Sequence, residues 1–89
     1  MDDVTQNKKI EKACSAALEK FQKIGLEKYA DIQSKLAYVL GSYQYDGNPV
    51  GLYEMGEKAL SELQELQKER PRMVSKKLIT DLENALKQR

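Results

Sequence analysis

The chain has 89 residues, with 15 basic and 14 acidic side chains, a net charge of +1 and 40% hydrophobic content. That is enough for one domain (residues 1–89) and too apolar for a disordered chain of balanced charge. The absence of histidine and the presence of one cysteine, Cys14, exclude Cys/His zinc sites, Ser-His and Cys-His nucleophilic pairs, phosphotransfer through histidine and any internal disulfide.

The apolar period is helical nearly throughout. In the first segment Ile10, Cys14, Ala17, Phe21 and Ile24 recur at spacings of four and three, predicting a helix over about 4–24. Asp3 or Thr5 would cap it, and Gly25 would end it, with Leu26 folding back onto the last turn. A second helix, about 27–44, carries Tyr29, Ile32, Leu36, Val39 or Leu40, and Tyr43. The short connection at Gly25 makes these two antiparallel neighbours. Gln44-Tyr45-Asp46-Gly47-Asn48-Pro49 is the strongest break, with Asp-Gly as a turn and Asn48-Pro49 as N-cap and first helical residue. A third helix, about 49–70, follows with Leu52, Gly56, Ala59, Leu63 and Leu66, and Pro71 stops it. Ser75 then caps a last helix, about 75–88, with Leu78, Ile79, Leu82, Ala85 and Leu86 inward. One apolar stripe per helix and short loops predict an all-α, antiparallel up-and-down four-helix bundle. The last helix is the weakest element and could dock across the others.

Four features could carry function. Five of the six aromatic residues are tyrosines, and most lie near the central turn. Tyrosine combines a flat apolar face with a polar tip, which suits a recognition surface. Tyr43, Tyr45, Asp46, Asn48 and Tyr53 are therefore the candidate partner-binding residues. The structural alternative is that the rings cap one end of the bundle. Gly41 and Gly56, roughly equidistant from the turn, are expected to face each other in a close helix approach. Asp46, Asn48, Gly51 and Glu57 match positions one, three, six and twelve of a calcium loop, but Val50 and Pro49 break the pattern. The basic stretch 68–77 supplies weaker anion-contact candidates, Arg70, Arg72, Lys76 and Lys77, at the start of the last helix.

Leu40-Gly41, a nearby tyrosine, the Gly-containing turn and Ala59-Leu60 resemble one unit of a tetratricopeptide repeat over about 30 residues. The anchor spacing does not hold, and one unit makes no solenoid. No family is assigned on it.

The expectation is a non-enzymatic, cytoplasmic protein-interaction or regulatory module without metal or cofactor. Cys14 is expected in the core. The acidic, polar start does not read as a signal peptide, and no apolar run is long enough for a membrane span. The alternatives are a structural homodimer built on an incompletely covered helix face, and anion or nucleic-acid contact through 68–77. Nucleic acid is disfavoured by the balanced charge and the lack of a basic recognition helix.

Overall fold

The computed structural model describes residues 3–25 and 27–87, with side chains from residue 7 onward. Four helices follow one another: α1 (Asp3–Ile24), α2 (Ala30–Asp46), α3 (Val50–Glu69) and α4 (Lys76–Lys87), with a single 3₁₀ turn, Glu27–Tyr29, leading into α2. The architecture is the expected all-α four-helix bundle. Helix α1 already contains Asp3 and Thr5, so neither is its cap; Leu26 and the end of the chain lie outside the described residues.

Local chemistry sets the joints. Gly25 adopts φ +68°, and its N–H reaches the Phe21 carbonyl at 3.0 Å, closing α1 with the left-handed residue that only glycine takes cheaply. Gly47 does the same for α2 at φ +72°, donating to the Tyr43 carbonyl at 2.7 Å. The carboxylate of Asp46 accepts the Asn48 N–H at 2.9 Å, and the amide oxygen of Asn48 accepts the Val50 N–H at 3.1 Å. Pro49 is thus the N-cap and Val50 the first helical residue, one later than the sequence suggested, and Asn48 holds the Val50 N–H from just outside the helix. Before α4, the Ser75 hydroxyl accepts the Leu78 N–H at 3.2 Å.

Core side chains interlock the helices in a flattened diamond. Helices α1 and α3 touch each other and each touches both α2 and α4, which lie on opposite flanks. The Cα envelope is 38 × 23 × 16 Å. Ile10, Cys14, Phe21, Leu36, Leu52, Leu63, Leu66 and Leu82 are fully buried. At the Gly25 end, Phe21 stacks on the buried ring of Tyr29 with centroids 4.9 Å apart, and Val74 of the α3–α4 connection closes the core. Helix α4 packs on both α1 and α3. Its Leu86 reaches the same point of α3, Gly56, as Ile10 and Cys14 of α1.

That point corrects the expected glycine pair. A Cβ at Gly56 would meet Leu86 Cδ2 at 3.2 Å and Ile10 Cδ1 at 3.4 Å, so Gly56 admits α1 and α4 and not α2. The close α2–α3 approach lies instead at Gly51, where a Cβ would sit 3.0 Å from Val39 Cγ1. Gly41 faces open space.

Candidate interaction surfaces

The structure divides the candidate tyrosines. Tyr53 is buried, at 6% exposure, on the inner side of α3, and Tyr43 is half-buried against the core. Neither is an open contact residue, which corrects the expectation for Tyr53. Helix α3 has neighbours on three sides, so its buried arc is wide enough to take in a residue beside the main stripe. Tyr45 stands 93% exposed. Asp46 and Asn48 are exposed at the turn, each with one side-chain oxygen committed to a backbone N–H of the turn itself.

A surface that was not expected takes the place of the cluster. Tyr38 is 75% exposed and lies seven residues before Tyr45 on α2. Seven residues are just under two helical turns, so the two rings project from one face, about 10 Å apart along the axis. Gly41 and Ser42 lie between them, both exposed. No charged residue occurs from Leu36 to Tyr45, and from Leu36 to Tyr53 only Asp46 is charged. In a chain one third charged, this is an outward helix face without the usual lysines and glutamates. Val50, 52% exposed, adds an apolar side chain just past the turn. The signal was present in the sequence as the uncharged run from Leu36 to Tyr45.

A second surface lies between α1 and α4. It is a groove of about 710 Å³, lined by Ala13, Ala16, Leu78, Asn84 and Ala85 and by Lys9, Lys12, Lys77 and Lys87, with Asp81 as the one acid. Of the anion-contact candidates, only Lys77 lines it. Arg70, Arg72 and Lys76 are exposed on or beside the α3–α4 connection and contribute nothing to the groove.

The other motifs resolve simply. Gly51 and Glu57 of the calcium-loop pattern are wound into α3, so the twelve residues form no loop. No group of three or more His, Cys, Asp or Glu side chains among the described residues is placed to hold a metal ion. Cys14 is fully buried, and its Sγ–H donates to the Leu52 carbonyl at 3.4 Å. Burial pushes its thiol up from the ordinary 9.0 to about 12, which makes it a core residue and a poor nucleophile at neutral pH. No helix among the described residues is long and apolar enough to cross a membrane.

Comparison with protein-family models, with curated proteins and with solved structures returned no match to this chain.

Proposed function

We propose that the chain is a non-enzymatic protein-interaction or regulatory module of the cytoplasm that docks through the outer face of α2. One observation carries this reading: two tyrosines, Tyr38 and Tyr45, exposed on an uncharged helix face of an otherwise heavily charged chain. Exposed aromatic side chains flanked by small residues are what a partner can cover at low entropic cost. Asp46 and Asn48 shape the turn beside this face, and Tyr43 supports it from below. The sequence has no histidine to serve as base for a serine or cysteine nucleophile, which favours binding over catalysis.

The test is capture of protein partners from the source lysate on tagged wild type and on a Tyr38→Ala/Tyr45→Ala variant. Both rings are exposed, so the double variant keeps the core and its helical circular dichroism. Loss of a captured protein is expected. If the folded variant retains every partner, the site is wrong.

The lysine-flanked groove favours a second reading, docking of an acidic segment of a partner protein between α1 and α4. A Lys12→Glu/Lys77→Glu variant separates the two: it spares partners held by the tyrosine face and releases those held by the groove.

A further inference from the structure

We infer that the partner of the α2 face is a second copy of this chain, paired antiparallel about Gly41. This rests on the reading of that face as a contact surface and names what covers it.

The argument begins with the charges that bound the face. Lys35 and Asp46 flank the uncharged run, eleven residues apart, which is three turns and about 20° round the axis. They therefore lie on the same edge of α2. Their midpoint falls next to Gly41. In a two-fold pair of antiparallel helices, an edge of one copy lies beside the same edge of the other with its ends exchanged. A two-fold axis at Gly41 thus places Lys35 of each copy beside Asp46 of the other, twice per dimer. A parallel two-fold pair would instead put the Lys35–Asp46 edges of the two copies on opposite sides of the interface, where these charges do not meet.

The same axis suits the side chains. Tyr38 and Tyr45 straddle Gly41, three residues before and four after it. The exchange therefore lays Tyr38 of one copy along Tyr45 of the other, with the two glycines meeting at the centre. A Cβ at Gly41 would meet nothing within 4 Å in the isolated chain, so the glycine is not required by the bundle. A glycine costs an exposed helix about 1 kcal/mol relative to alanine, and close approach of a second backbone accounts for it. Lys35 already holds Asp31 at 3.1 Å, with both side chains at least half exposed, and its ammonium has further donors for Asp46 of the second copy. Among the described residues Asp46 has no ion pair within its own chain. Helix α2 sits on a flank of the diamond, touching α1 and α3, so a second copy reaches its outer face unobstructed. One helix against its twin buries less than the roughly 800 Å² per partner of a standard interface, so association in the micromolar range is expected.

Sedimentation equilibrium of the full chain, from low micromolar to near-millimolar, is the test. The mass is expected to rise from 10.2 kDa toward twice that value. Gly41→Leu places a side chain in open space in the monomer, so it folds, and it should abolish the rise. Lys35→Glu and Asp46→Lys should each weaken dimerisation about tenfold, since each turns two attractive pairs repulsive. An equimolar mixture of the two variants should dimerise again, because every cross-pair is then of opposite charge. A wild type that stays monomeric near millimolar overturns the self-pairing. So does a dimer that persists in Gly41→Leu, or single variants whose mixture is not rescued. A monomeric wild type leaves the interaction reading standing, since that falls only if the tyrosine variant keeps its captured partners.

Discussion

Gly41, Gly51 and Cys14 sit in different surroundings, and each gives a measurable consequence. Gly41 and Gly51 are helical glycines with opposite surroundings, and alanine at each should have opposite effects. At Gly41 the new methyl meets nothing, so Gly41→Ala should stabilise the monomer by up to about 1 kcal/mol through helix propensity. At Gly51 it would press on Val39 Cγ1 and Cβ at 3.0 and 3.2 Å, and the Cβ is fixed to the α2 backbone. Gly51→Ala should therefore cost about 1–2 kcal/mol by overpacking. Urea unfolding at low micromolar concentration reads both signs. Cys14 gives a pH-dependent case. Its thiol is held up from 9.0 to about 12 in the folded chain, so the folded state keeps a proton that the unfolded state releases. The stability linked to this group is fully present below pH 9 and is lost as pH rises from 9 toward 12, at up to about 1.4 kcal/mol per pH unit. Cys14→Ala, compared with wild type across that window, should lose stability less steeply. A parallel decline of both proteins would contradict the assignment.

Helices are legible from sequence because their signals are local. The stripes at spacings of three and four, the two positive-φ glycines and the side-chain acceptors of Asn48 and Ser75 at the helix starts are all decided within about five residues of chain. Both acceptors are testable: Asn48→Ala and Ser75→Ala should each cost about 1 kcal/mol by removing the acceptor of an orphan N–H, with Tm as the readout. Glycine register was not legible, because counting outward from a turn ignores how each helix is rotated about its axis. Gly41 and Gly56 are symmetric in sequence, yet one faces solvent and the other faces α1 and α4. The same rotation decides the tyrosines. Helix α2 runs on to Asp46, which carries Tyr45 outward onto the line of Tyr38, while the wide buried arc of α3 takes Tyr53 inside.

At the scale of the whole molecule, the chain is nearly neutral but its charges are not evenly spread. Lys9 and Lys12 are 65 to 78 residues from Lys77 and Lys87, and only the folding of α4 against α1 brings them to one groove. No window of sequence could assemble that set, whereas Lys77 alone was visible as part of a basic stretch. The groove should bind acidic polypeptide and discriminate by field more than by shape, since four exposed lysines line it against one acid. Fluorescent poly-glutamate added to the wild type should therefore show saturable binding at low ionic strength. The Debye length shrinks from about 10 Å at 0.1 M salt to about 3 Å at 1 M, so raising salt across that range should weaken the complex at least tenfold. Lys12→Glu/Lys77→Glu should remove binding at any salt. Arg70→Glu/Arg72→Glu, equal in charge change but outside the groove, should leave most of it. If the two double variants lose binding equally, the attraction comes from overall charge and the groove has no role in it.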